Sequence, residues 1–203
     1  MNNYLENLNE EQKLPVLHKD GPLIVIAGAG SGKTRVLTYR IIHLINEGVD
    51  PFNILALTFT NKAALEMNNR ISLITSESVY GSIWMGTFHS IFARILRSEA
   101  PLIGYPSNFT IYDTYDSEKL ISNIIKEKKL DKDTYKAKSI KNRISSLKNN
   151  FITVENYFNN SELIEVDKAA KRDLFGEIYQ EYVRRCFKAC VMDFDDLLLK
   201  TNE

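Results

Sequence analysis

Apolar and polar positions follow two different rhythms along the chain. Leu23-Ile24-Val25-Ile26 and Asn53-Ile54-Leu55-Ala56-Leu57-Thr58-Phe59 are short runs of strand character. Between them Val36, Leu37, Ile41, Leu44 and Ile45 recur at helical spacing, and Gly48 stands where a glycine closes a helix. A second helical pattern follows the second run. Short apolar strands separated by helices predict a parallel sheet covered on both faces. Beyond about Ser90 the strand pattern almost vanishes. Helical periodicity then runs through Ile91–Ser98, Ser117–Lys129, Ala137–Lys148, Lys168–Cys190 and Phe194–Lys200, with breaks at Pro101, Pro106 and the Asn149-Asn150 pair. The pattern predicts an α/β region over residues 1–90 and an all-α region over 91–203, with no repeat, low-complexity tract or Gly/Ser linker between them.

Directly after the first apolar run comes Ala27-Gly28-Ala29-Gly30-Ser31-Gly32-Lys33-Thr34, and a helix follows at once. Glycines in such a turn let successive backbone N–H groups point inward at phosphate oxygens, and the helix start adds its partial positive charge. Lys33 would reach the terminal phosphates and the Thr34 hydroxyl would hold magnesium. The usual motif begins with glycine where this chain has Ala27, and a small side chain is what that position needs. A glycine-rich turn can be purely structural, but Gly-Lys-Thr between a strand and a helix favours a phosphate cradle for a nucleoside triphosphate. The loop alone names no reaction, because kinases, GTPases, transporters and motors share it.

Composition narrows the setting. The 203 residues carry 44% hydrophobic side chains, enough for a normal core, and 26 basic residues balance 26 acidic ones. Any nucleic-acid contact must therefore come from a local patch. One candidate is Lys126 to Lys148, with nine basic and three acidic residues and a local charge of +6. Such runs are usually solvated helix faces; backbone contact with DNA is the alternative. The longest apolar stretch, Leu23 to Ala29, is too short to cross a bilayer, and the first residues lack the features of a signal peptide. That reading places the chain in the cytoplasm, away from membranes. Cys186 and Cys190, four apart on an expected helix with no second pair or neighbouring histidine, read as reduced, packed thiols rather than a zinc site.

Several segments occur in a telling order: Leu8-Asn9-Glu10-Glu11-Gln12, the Gly-Lys-Thr-Arg loop, Thr58-Phe59-Thr60-Asn61-Lys62-Ala63-Ala64-Leu65-Glu66-Met67, Gly86-Thr87-Phe88-His89-Ser90 and Asp193-Phe194-Asp195-Asp196-Leu197-Leu198. Together they resemble the UvrD/Rep/PcrA group of superfamily 1 DNA helicases, across nearly the whole chain. The resemblance implies a RecA-like P-loop fold binding ATP and Mg2+, followed by a helical insertion subdomain. It implies that Gln12 reads the adenine edge and that Arg35 packs on the base or sugar. It also implies single-stranded DNA contacts through Phe59, Asn61, Lys62, Thr87 and His89, at junctions of single and double strand, in a 3′-to-5′ motor for repair or replication. The residue types suit those roles: an amide offers paired donor and acceptor groups, a guanidinium stacks on rings, and an aromatic platform holds any base. Taken singly, Gln12 reads as a surface residue, Arg35 as a solvated helix charge, Phe59 as a core aromatic and His89 as a capping side chain.

A helicase motor also needs an acidic strand-end pair for magnesium and an arginine from across the cleft. Asp193, Asp195 and Asp196 precede a Leu-Leu-Leu run and read as helix-start acids instead. The sequence therefore reads as the N-terminal part of a longer motor, expected to bind nucleotide weakly and to hydrolyse almost none. An incomplete sheet would carry a risk of poor stability or self-association. Three rivals stand beside this reading: a helicase–nuclease subunit of the AddA or RecB kind, a nucleotide-sensing or DNA-binding module without turnover, and a P-loop kinase. A compact helical region argues against the first, and the Thr-Phe-Thr-Asn-Lys block against the last.

Overall fold

In the computed structural model, residues 4–75 and 81–202 are described. They divide into two compact units, 1–91 and 92–203.

The first unit opens with helix α1 (Glu10–Leu17), started by a capping box in which Asn9 and Gln12 satisfy each other's backbone N–H groups. Helix α2 (Lys33–Asn46) follows the glycine loop, and Gly48, at φ 91°, takes the left-handed turn expected after its end. Strand β1 (Leu55–Thr58), helix α3 (Asn61–Ser72) and strand β2 (Trp84–Thr87) come next. β1 and β2 pair in parallel, Leu55 opposite Trp84 through Thr58 opposite Thr87. The core between them is Ile41 of α2, Ile54, Ala56, Met67 and Ile71 of α3, and Ile83.

The first apolar run does not form the strand its pattern predicts. Leu23 to Ile26 pair with no described strand, and Ile24 and Ile26 are 86% and 96% exposed. A strand exists only through its ladder, and no described segment offers one here. β1 is likewise covered on one face: Ala56 and Thr58 are buried while Leu55 is exposed. Among the described residues the expected sheet covered on both faces is thus reduced to two strands plus an unpaired apolar segment. Such a segment is adhesive. Replacing Ile24 and Ile26 together by lysine should abolish concentration-dependent association in sedimentation, with a change in stability within about 0.5 kcal/mol, as for exposed sites generally.

The second unit is not all-α. Helix α4 (Phe88–Glu99) crosses the division between units, and strands β3 (Thr110–Tyr112) and β4 (Val191–Asp193) pair in parallel within the second. Three-residue strands carry too little alternation to show in the sequence, which is why the helical rhythm hid them. Helices α5 (Thr114–Glu127), α6 (Ala137–Asn149), α7 (Val154–Phe158), α8 (Ser161–Ala169), α9 (Phe175–Lys188) and α10 (Phe194–Thr201) fill the rest. The single helix expected over Lys168–Cys190 is two: α8 ends at Ala169, Lys171 adopts φ 58°, and α9 starts at Phe175. Ile121, Ile124, Ile140, Ile144, Phe175, Ile178, Tyr179 and Tyr182 make the main core of this unit.

Cys186 is buried as expected, but Cys190 lies past the end of α9 in a left-handed conformation and is exposed. Asp193 both ends β4 and caps α10 through a capping box with Asp196, so the helix-start reading holds while the contrast with a strand end does not. The basic run is also less free than its charge implies. Lys148 is buried against Asp193 and Asp196, Lys128 pairs with Glu177, and Arg143 pairs with Asp167, leaving Lys126, Lys129, Lys132, Lys136 and Lys138 exposed.

Candidate functional site

The glycine loop curls onto itself. Ser31 donates to the Gly28 carbonyl from its hydroxyl at 2.8 Å and from its backbone at 3.4 Å. Gly30 and Gly32 hold φ 78° and 90°, where a side chain is strained. At Gly32 an added Cβ would also lie 2.8 Å from the Gln12 amide nitrogen. Lys33 folds back so that its ammonium donates to the carbonyls of Ala27 at 2.8 Å and Gly28 at 2.7 Å. No side chain caps the start of α2. The loop from Gly28 to Ser31 is exposed, as are Lys33 and Thr34, while Ala27 is half-buried.

Gln12 joins this loop to α1. Its amide nitrogen donates to the Ser31 carbonyl at 3.1 Å, while its oxygen accepts from Asn9 within the capping box. Gln12 is thus half-buried at the loop, not the ordinary surface residue it resembles when taken alone. Arg35, one residue beyond Thr34, is exposed, and its guanidinium carbon lies 5.8 Å from the Tyr39 ring centroid.

Parallel pairing of β1 and β2 brings the other candidate residues together at the strands' carboxyl ends, the edge where open α/β sheets bind ligands. Phe59 follows β1 immediately and is 92% exposed, its ring 5.5 Å from that of Phe88. It is not a core aromatic. Thr60 caps α3 by accepting from the Ala63 backbone, so Asn61 and Lys62 sit exposed in the first turn of that helix. Thr87 ends β2, and its hydroxyl accepts from the Ser90 backbone and donates to the Ser90 hydroxyl. Gly86 makes this turn possible, since a Cβ there would lie 2.6 Å from the Ser90 hydroxyl oxygen. His89 is half-buried in the first turn of α4.

A cavity of about 290 Å3 separates the two groups, with Lys33 and Thr34 on one side and Thr58, Phe59 and Thr60 on the other. All of it lies within the first unit. Among the described residues, no three His, Cys, Asp or Glu side chains cluster to hold a metal. A magnesium ion bound here would take the Thr34 hydroxyl and depend on phosphate oxygens for its other ligands, the usual habit of that ion. The sequence left Tyr39 unremarked, although its spacing of four from Arg35 on a helix was a usable signal.

A glycine-rich loop at a helix start and the carboxyl ends of parallel strands are the places where open α/β folds bind ligands. Comparison with known proteins gives the family: the model for the UvrD/REP helicase N-terminal domain matches residues 8–203, and the chain belongs to that family. It is 43% identical over 201 residues to the ATP-dependent DNA helicase PcrA of Bacillus subtilis, covering 98% of this chain and 26% of the relative. It is 41% identical over 205 residues to PcrA of Staphylococcus epidermidis, covering 99% and 27%, and 40% identical over 195 residues to PcrA of Leuconostoc citreum, covering 96% and 25%. The chain therefore spans about a quarter of the length of these curated relatives.

Proposed function

We propose that this chain is the ATP- and single-strand-binding portion of an ATP-dependent DNA helicase that translocates 3′ to 5′ in DNA repair or replication, in the cytoplasm. Residues 1–90 serve as motor portion and 91–203 as the insertion subdomain. The observation that carries this reading is the single cavity with Lys33 and Thr34 on one wall and Phe59 and its neighbours on the other. Both groups line one cavity, which puts the phosphate loop next to the segment that carries Phe59.

In this reading phosphates enter the loop and Lys33 exchanges the Ala27 and Gly28 carbonyls for phosphate oxygens. Backbone N–H groups from Gly28 to Thr34 line the cradle, and the Thr34 hydroxyl holds magnesium carried by the nucleotide. Gln12 and Arg35 meet the base. Across the cavity Phe59 offers its ring to a nucleobase, while Lys62 and Asn61 meet the backbone and Thr87 and His89 extend the track, up to a junction with duplex. The exposure of Phe59 fits this role, because a ring that stacks on a base must be accessible, and this one is 92% exposed. Family membership and the PcrA relatives support it as well.

The test is fluorescence anisotropy of labelled oligo-dT and of a fluorescent ATP analogue. Phe59→Ala should weaken oligo-dT by about 1–3 kcal/mol, the range for one stacked base, with the ATP analogue unaffected. Unchanged oligo-dT affinity in that variant would remove the single-strand assignment and leave only the nucleotide site.

A further inference from the structure

Helix α1 has a weak hold of its own. Its eight residues include Pro15, only Val16 is buried, and a helix of that length does not stand in water without tertiary support. Pro15, Leu37 and Arg40 line a cavity of about 380 Å3, so packing alone does not fix the carboxyl end of α1. The last carbonyls of a helix also need donors from outside it.

Arg40 of α2 supplies such a donor. Its half-buried guanidinium donates from Nη1 to the Pro15 carbonyl at 2.7 Å and to the His18 carbonyl just past the helix. A cation there also meets the negative end of the α1 dipole. The nearby ion pair of Lys19 with Glu47 is exposed on both sides and adds little. The other end of α1 meets the glycine loop, because Gln12, one turn before Pro15, donates to the Ser31 carbonyl. Lys33 and Arg40 stand seven residues apart on α2, about 10 Å along its axis. Helix α1 is therefore a strut beside the first turns of α2, pinned to that helix by Arg40 and touching the loop through Gln12. A short helix moves as one piece, so freeing it at Pro15 frees Gln12 from Ser31.

We propose that Arg40 is a positioning residue for nucleotide binding: it touches no ligand and acts by holding α1 so that Gln12 stays on the loop. The inference rests on the nucleotide reading above and adds to it which contact outside the cradle keeps the cradle assembled.

The test is a double-mutant cycle on ATP affinity, read by calorimetric titration. Arg40→Met keeps an apolar stem in place and removes the donors. It should weaken ATP about three- to tenfold, the scale of one lost hydrogen bond, and no more than Gln12→Ala does. In the Gln12→Ala chain Arg40→Met should have no further effect, and Arg40→Lys, which restores a cationic donor, should recover part of the loss. A support role unconnected with Gln12 gives losses that add across the two sites. That result, or an Arg40→Met affinity equal to the parent's, overturns the proposal while the nucleotide site stands. A parent chain that binds no ATP removes the nucleotide reading and this proposal together. Thermal melts identify an Arg40→Met chain that fails to fold. In that event Arg40→Gln, which keeps an uncharged donor, takes its place in the cycle, and additive losses there overturn the proposal in the same way.

Discussion

Lys148→Ala should lower the unfolding free energy of the chain by about 3–5 kcal/mol, the range for removing one partner of a buried ion pair. The Lys148 side chain is 1% exposed, its ammonium lies 2.8 Å from an Asp193 oxygen and 2.7 Å from an Asp196 oxygen, and the Tyr182 hydroxyl donates to Asp193 at 2.7 Å. Without the ammonium, two carboxylates share a dry site with one hydroxyl. Burial acts to lower the lysine, but the charges of Asp196 and Asp193 outweigh it and hold Lys148 above its ordinary value. Burial acts to raise Asp193 too, yet the Lys148 charge and hydrogen bonds from Lys148, Tyr182 and the Asp196 backbone keep it below the usual carboxylate range. Burial lifts Asp196 above that range despite Lys148.

The signs fix the pH dependence. The contribution of Asp193 is present above the ordinary carboxylate value of about 4 and is lost as pH falls through its lower folded value. That of Lys148 is present below the ordinary lysine value of about 10.4 and is lost only as pH rises through its higher folded value. Asp196 works in the opposite sense, since folding disfavours its ionised form. Urea melts between acid and neutral pH should therefore find Asp193→Asn costlier than Asp196→Asn at neutrality, with a weaker acid-side loss of stability in the former. Equal costs for the two variants, or a Lys148→Ala loss under about 1 kcal/mol, would show that the cluster is not organised around the Lys148–Asp193 pair.

The second large effect is expected at Lys33. Lys33→Ala should reduce affinity for a fluorescent ATP analogue by at least about a hundredfold, because charge-assisted hydrogen bonds to phosphate are worth about 1.5–3 kcal/mol each and the ammonium can make two. Its present partners are the Ala27 and Gly28 carbonyls, and the side chain is exposed. Melting temperature should therefore hardly move. Loss of binding at unchanged stability is the signature of a ligand contact; undiminished binding would mean that the loop is only a turn.

The glycine loop, α2 with its closing Gly48, and β1 were legible because each carries a local chemical reason: left-handed glycines, a 3.6-residue rhythm, an apolar run. Leu23 to Ile26 has an equally good strand pattern and fails, since pairing is a property of two segments and a pattern belongs to one. β3 and β4 failed in the opposite direction. Val191-Met192-Asp193 is too short to announce itself, and its partner Thr110-Ile111-Tyr112 lies some 80 residues earlier in the chain. In the candidate site, Gln12 lies at the loop and Phe59 stands in water, placements that the resemblance implied. The arrangement of side chains was not legible: the contact between Arg35 and Tyr39 is a matter of side-chain direction, and the burial of Lys148 depends on acids 45 and more residues away.

That last separation bears on how the chain is made. Domains fold as their residues leave the ribosome, and contacts distant in sequence form late. Lys148 belongs to α6, whose Ile140, Ile144 and Leu147 are ready to join Ile121 and Ile124 of α5 as soon as both helices exist. Burying that face takes the ammonium into an apolar interior with no counter-charge until Asp193 and Asp196 have been synthesised. The counter-charge that makes the burial of Lys148 tolerable is thus among the last parts of this core to be synthesised, in the Asp193–Asp196 turn that closes β4 and starts α10.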